Sequence, residues 1–357
     1  MQKIYTAIFI TILLIITSTV IAQDEDFFEP KSSIGGYGEL HYNNEKADGK
    51  EAKKVLDFHR FVLFFGYAWN EQWSLKSEVE LEHNFVKDGQ GELELEQAYI
   101  NYHHADWFGF QAGVILPSVG LLNEYHEPPL FLSVERPEYS KNIIPTTWFG
   151  NGVALYGSHE GFEYKLSVME GLNSDNFKNS SGIRSGRQKG YKADAENFLY
   201  NGRIDYTGLP GLRAGVSFTY NKANGDSTEV PLTLIEFHAK YTANNIHAVF
   251  EYGNISYSDQ PVESSMGYYF DLGYNVASFF CDKMEVIPFF RWTDYNTVSS
   301  FEGGGDAEKK YHNKKWMVGL SVKPIPQVVF KLDYGVRENQ LTNSEVKLFN
   351  LGAGYMF

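Results

Sequence analysis

From residue 33 to residue 357 the chain alternates apolar and polar residues in short runs separated by turns, and this period of two constrains its fold more than any other feature. Successive side chains of a strand point to opposite faces, so alternation sends one face to an apolar medium and the other to a polar one. The last run is the clearest. Phe349, Leu351, Ala353, Tyr355 and Phe357 share one face, and Leu348, Asn350, Gly352, Gly354 and Met356 the other. Leu212, Ala214, Val216, Phe218 and Tyr220 alternate in the same way with Arg213, Gly215, Ser217 and Thr219. So do Phe330, Leu332, Tyr334 and Val336 with Lys331, Asp333, Gly335 and Arg337.

Sixteen such runs are legible, at about 33–43, 54–69, 73–84, 91–103, 107–116, 149–158, 161–170, 196–207, 211–221, 231–242, 245–257, 264–277, 283–296, 311–323, 327–338 and 345–357. Short connections, such as Asn70-Glu71-Gln72 and Ala243-Asn244, alternate with longer ones centred on Asp48, Lys87, 117–148, 171–195, Asn224, Asp259, Gly304 and Asn339. An up-and-down meander whose two ends face different surroundings has this asymmetry, as transmembrane barrels do. Lipid offers backbone N–H and C=O groups no partner, so strands span it only as a closed sheet without edges. The expectation is an all-β protein: a transmembrane antiparallel up-and-down barrel over 33–357, with both termini at the short-turn end. A water-facing interior reconciles a mean hydropathy of −0.34 with membrane residence. Aromatics near strand ends, namely Trp69, Trp73, Trp107, Trp148, Tyr206, Tyr220, Tyr241, Trp292 and Tyr355, suit interfacial girdles.

Other classes fall away. A net charge of −14 argues against a nucleic-acid partner. A single cysteine, Cys281, allows no intramolecular disulfide and no cysteine-clustered metal site. Past residue 22 no apolar run approaches the ~18 residues of a membrane helix. Residues 1–22 read as a secretory signal: Lys3, then an apolar stretch from Ile4 to Ile21, then an exit at Val20-Ile21-Ala22 with cleavage after Ala22. Residues 23–32 follow as a short periplasmic segment. The expected location is the bacterial outer membrane, with its lipid and lipopolysaccharide as surroundings.

Three segments carry a family resemblance: Gly35-Gly36-Tyr37-Gly38-Glu39, Leu95-Glu96-Gln97-Ala98-Tyr99-Ile100, and Gln111-Ala112-Gly113-Val114 followed by Pro117 and Gly120. With a signal ending in Ala, a terminal Phe357 and a long third outer loop, the chain resembles a bacterial outer-membrane porin. More narrowly it resembles the phosphate-selective porin (O and P type) family. The resemblance implies a third loop folded into the lumen, a homotrimer, and a terminal Phe read by the assembly machinery. It departs from that family in one respect, because the candidate loop is not basic.

That loop, 117–148, holds Glu124, His126, Glu127, Glu135, Arg136, Glu138 and Lys141. It is too long for a plain connector. Its apolar residues Leu121, Leu122, Leu130, Phe131, Leu132, Ile143, Ile144 and Trp148 would pack against the wall while its carboxylates face the pore. Alternation places Glu78, Glu80, Glu82, Glu94 and Glu96 on the lumen side of early strands, and Arg203, Arg213, Lys240, Arg291, Lys315, Lys331 and Arg337 on that of later ones. A charge on the lipid face near the midplane costs roughly 2–4 kcal/mol for Arg or Lys. A basic wall opposite an acidic loop sets up a transverse field and weak charge selectivity; alternatively these charges pair and merely keep the lumen wet. Loop 171–195, with Lys178, Arg184, Arg187, Lys189 and Lys192, reads as a solvated external loop. It is also suited to gathering anions or lipopolysaccharide phosphates.

No catalytic, cofactor or metal site is expected. The adjacent His103 and His104 point to opposite faces, and no His-Glu-x-x-His, Gly-x-Ser-x-Gly or Walker sequence is present. Asn179 and Asn254 open Asn-x-Ser sequences of little weight, and Cys281 reads as a packed small residue. The expected function is a passive channel for small hydrophilic solutes or ions and not an enzyme. The alternatives are a phosphate- or polyphosphate-selective channel and, from another class, an occluded structural or adhesive barrel.

Overall fold

A computed structural model describes residues 30–281 and 283–357. The expected signal over 1–22 and most of 23–32 lie outside the described residues, while Lys31 and Ser32 belong to the first strand. Sixteen strands follow in chain order: β1 Lys31–Ala47, β2 Lys53–Ala68, β3 Trp73–Glu82, β4 Leu93–Ala105, β5 Phe108–Ile115, β6 Gly150–His159, β7 Phe162–Met169 and β8 Leu199–Tyr206; then β9 Leu212–Asn224, β10 Glu229–Ala243, β11 Ile246–Tyr257, β12 Val262–Tyr274, β13 Glu285–Phe301, β14 His312–Ile325, β15 Val328–Asn339 and β16 Glu345–Met356. Each pairs antiparallel with its chain neighbours, and β16 pairs with β1 to close the barrel. Among the described residues no helix is long and apolar enough to cross a membrane.

Closure is sealed at the termini. Gly36 and Phe357 exchange both backbone hydrogen bonds, at 3.0 and 2.9 Å. A Cβ on Gly36 would stand 2.2 Å from the Val62 carbonyl oxygen, so only glycine lets β1 lie this close to β2.

The period of two reappears as burial. On β10, Ile235 and Phe237 are exposed while Glu236 and His238 are buried; on β8, Tyr200 and Ile204 are exposed while Asn201, Arg203 and Asp205 are buried. An outward apolar face against an inward polar one is what a closed sheet in hydrocarbon requires. Three expectations change. The inward face is not polar throughout: Leu199, Leu232, Leu234 and Ile255 are buried on it in a core with the 116–149 connection. Trp148 is not a girdle residue but lies at 2% exposure in that core, its backbone N–H donating to Asn123. The connection lengths do not alternate strictly either. Connections 207–211 and 275–284 at the short-turn end are no shorter than 225–228 and 258–261 opposite. There β9 and β10 stay paired out to Asn224 and Glu229, because continuing the ladder satisfies backbone groups that a loop would leave to water.

Candidate functional site

The connection 116–149 is the centre of the polar network. It leaves β5, forms a 3-10 turn at Pro128–Leu130 and a short α-helix at Tyr139–Asn142, and returns into β6. Its apolar residues Leu121, Leu122, Phe131, Leu132, Ile143, Ile144 and Trp148 are all buried, and Leu130 is half-buried. Asn123 holds the two ends together: its side chain donates to the carbonyls of Pro117 and Trp148 at 2.8 and 3.1 Å.

Charged side chains fix this connection to strands around the ring. Glu124 meets Lys165 of β7 at 2.9 Å and Arg203 of β8 at 3.2 Å. The Leu121 N–H donates to Glu251 of β11, and the Val134 N–H to Asp333 of β15, at 2.9 and 2.7 Å. Glu135 accepts from Asn43 and contacts His41, both on β1, at 2.9 Å each. Glu138 accepts from Lys315 of β14 at 2.7 Å. His126 is buried 3.3 Å from Glu78 on β3 and 3.7 Å from Glu96 on β4. Arg136 donates to the His126 carbonyl at 3.3 Å, Glu127 is half-buried, and Lys141 is exposed. Glu124, Glu135 and Glu138 are therefore paired with wall groups, the second of the two arrangements the sequence left open. They are neutralised by the wall because a buried charge is tolerated only when paired.

Burial raises the Glu124 carboxyl, but Lys165 and Arg203 outweigh it and hold the group below its ordinary range. Glu138 is likewise pushed up by burial and brought below its ordinary range by Lys315.

The residues that alternation placed on the wall differ in burial. Glu78, Glu80, Glu96, Arg203, Arg291, Lys315 and Lys331 are buried, and Glu82, Glu94, Arg213, Lys240 and Arg337 are partly exposed. Each buried cation has its own company. Arg203 clasps Asp205 with two hydrogen bonds, at 2.8 and 2.7 Å, and Arg291 clasps Asp271 with two at 2.6 Å. Glu80 pairs with Arg60 at 3.2 Å, Arg213 with Glu163 at 2.8 Å, and Arg337 with Glu45 at 3.8 Å. The Lys331 ammonium lies over the Phe131 ring at 3.6 Å from its centroid. Lys240 lines a cavity of about 390 Å³ at the short-turn end, with Leu121, Tyr125 and Phe131 on its other side.

The next long connection departs from the solvated external loop that its composition suggested. Residues 171–195 do not simply hang in solvent. Arg184 donates to the Thr146 carbonyl, and Arg187 to those of Thr147 and, at 3.5 Å, Pro145, so this connection closes over the end of 116–149. Burial and the neighbouring Arg187 push the Arg184 guanidinium down to about 10. Lys189 bridges Glu92, at 2.6 Å, and Glu94. Lys178 and Lys192 are exposed as expected. The missed signal was Arg rather than Lys at 184 and 187, since a guanidinium suits fixed carbonyl acceptors better than a solvated surface.

This arrangement defines a closed sixteen-strand barrel of porin type, and the comparisons with solved structures agree. An anion-selective porin from Comamonas acidovorans superposes with a TM-score of 0.64 at 10% identity, covering 92% of this chain and all of that one (100%). OmpF of Salmonella typhi, in complex with daunomycin, gives 0.63 at 13% identity over 92% and 98% of the two chains. OmpT of Vibrio cholerae in its trimer form, an outer membrane protein, gives 0.58 at 14% over 92% and 100%. No family model matches the chain. It belongs to the family of an uncharacterized protein of Aquifex aeolicus (strain VF5), with which it is 32% identical over 350 residues, covering 91% of this chain and 80% of that one.

Proposed function

We propose that this chain is a bacterial outer-membrane porin, a passive diffusion channel for small hydrophilic solutes or ions. In it, 116–149 folds into the lumen as the constriction. The observation that carries this reading is the reach of that connection, whose hydrogen bonds run to inward side chains on β1, β8, β11, β14 and β15 of one closed ring. The outward band of exposed Leu, Ile, Phe and Tyr supports hydrocarbon around the ring. Export with cleavage after Ala22, surroundings of outer-membrane lipid and lipopolysaccharide, and assembly as a homotrimer belong to the same reading. The trimer form of the Vibrio cholerae protein supports the last of these.

Selection is then by size and by lumen electrostatics, without catalysis. Because Glu124, Glu135 and Glu138 are each matched by a wall group, little net field remains to sort ions, and charge selectivity is weak. Liposome swelling with sugars of graded size tests the function: a porin gives a size cutoff, whereas an occluded structural or adhesive barrel gives no swelling.

A second reading, a phosphate- or polyphosphate-preferring channel, has one observation in its favour. Arg136, Arg184 and Arg187 donate to backbone carbonyls rather than to carboxylates, which leaves positive charge at the long-loop end. Reversal potentials in KCl and in phosphate gradients separate the two readings. A strong phosphate preference over chloride removes the first.

A further inference from the structure

Three histidines and two carboxylates, Glu135 of the 116–149 connection among them, gather at the long-loop end of β1–β3. His41 stands on β1 opposite Asp57 of β2. Two residues on, the β1–β2 ladder slips: Leu40 pairs with Phe58 but Glu39 with Arg60, which leaves His59 as the extra residue of a bulge. A bulge breaks the period of two and re-aims a side chain. Here it sends His59 and Arg60 to the same side. Arg60 turns to Glu39 at 2.7 Å, and the His59 ring stacks on that of His41 with centroids 4.8 Å apart.

His83 comes from the turn after β3. Its backbone is left-handed, with φ of 56°, and its N–H donates to the His59 carbonyl at 3.2 Å. Asp57 Oδ2 then lies 2.7 Å from His83 Nδ1 and 3.1 Å from His59 Nδ1. Below, Glu135 Oε1 lies 2.9 Å from His41 Nδ1, while Glu39 holds the other nitrogen of that ring at 3.1 Å. Two triads share His59. In each of them, Asp57–His59–His83 and His41–His59–Glu135, the donor atoms lie within 4.8 Å of one another.

With metal–nitrogen bonds of about 2.0–2.1 Å, donors around a tetrahedral ion stand about 3.3 Å apart. The carboxylate–imidazole contacts already have that scale, so small side-chain rotations admit an ion. Mixed imidazole and carboxylate donors favour zinc, copper or nickel, whereas magnesium and calcium take oxygen. Glu39 supplies the outer partner that orients a ligating imidazole. The His83 side chain is 44% exposed, so an ion has a way in.

We propose that Asp57, His59 and His83 bind a divalent transition-metal ion of the zinc class, with His41 and Glu135 forming an adjoining triad beneath. The Asp57–His59–His83 site belongs to β2 and the turn after β3, so it does not depend on the channel reading. Binding through Nδ1 requires His59 and His83 to be neutral with the proton on Nε2, so His59 serves one of the two triads at a time.

Isothermal titration of the detergent-solubilised full chain with Zn²⁺, and separately with Mg²⁺, tests it. Zinc is expected to bind at least tenfold more tightly than magnesium. His59→Gln, which touches both triads, should weaken zinc at least tenfold, and His83→Asn should remove only the upper site. His159→Gln, at an exposed position, should change nothing. Zinc binding no tighter than magnesium, or unchanged by His59→Gln in a protein with wild-type circular dichroism, overturns the proposal. Should His59→Gln fail to fold, the absorption spectrum of bound Co²⁺ in wild type and in His83→Asn decides: no tetrahedral bands in wild type, or identical bands in both, is equally fatal. A barrel that binds zinc but passes no sugar in liposomes removes the channel reading and leaves this one intact.

Discussion

The connections 116–149 and 170–198 leave the same end of the barrel, and both are packed and hydrogen-bonded rather than free, but by different chemistry. The first brings its own core. Ile143, Ile144 and Trp148 bury against Leu199, Leu232 and Ile255, and its carboxylates meet Lys165, Arg203 and Lys315 on the wall. The second contributes less apolar surface, from Leu172, Phe177 and Ile183, and Arg184 and Arg187 tie it to carbonyls of the first. The difference teaches that the inner connection is built as part of the barrel, while the outer one is a cover laid upon it.

If so, cutting an inner anchor should be the most damaging change. Arg291→Ala leaves Asp271 buried without its partner and frees Ser133, and removing one member of a buried pair costs about 3–5 kcal/mol. Urea unfolding should show that loss, and planar-bilayer recordings a larger, noisier conductance. Acid should loosen the same connection more gently. Glu124 and Glu138 have folded pKa values below the ordinary 4.5, so their pairing stabilises the fold above that pH. That contribution is lost as pH falls through the depressed values. Conductance should therefore hold steady from pH 7 to 5 and rise only in stronger acid; a change centred near neutrality would point to other groups.

Lifting the cover should do less. Arg187→Ala removes hydrogen bonds worth about 1.5–3 kcal/mol with a charged donor. The expected readout is protease sensitivity within 171–195 and passage of slightly larger sugars, with little change in the unfolding midpoint. Should Arg187→Ala unfold the barrel as readily as Arg291→Ala, the distinction between built-in constriction and cover is wrong. Lys189→Ala is the smallest change, about 0.2–1 kcal/mol and screened by salt, because the side chain is 34% exposed. Protease sensitivity compared at low and high ionic strength would detect it.

Much of this was legible in the sequence. The strands, their number and the inward placing of Glu78, Arg203 or Lys331 follow from alternation, because hydrocarbon penalises any other phase. The apolar residues of 117–148 marked that loop as packed. What escaped are features of which sequence carries no periodic trace. The bulge at His59 reverses the phase between Phe58 and Phe61. Another between Glu78 and Val79 brings Gln97 to the side of Glu96, where it donates to Glu78. Leu232 and Leu234 share the inward phase of Lys240, but that they pack in a core rather than meet water was visible only with the partner inside the ring.

The sequence by itself determined a closed ring of about sixteen antiparallel strands, since alternation and the need to satisfy every backbone group require a closed sheet in lipid. Only the tertiary structure decided what the interior charges meet. Glu124 with Arg203, Arg187 with Thr147, and Asp57 with His83 are contacts from a connection to the wall, between connections, and from a strand to a neighbouring turn. Their chemistry depends on distances of a few ångströms, and those are fixed only when the barrel closes and the connections settle within it.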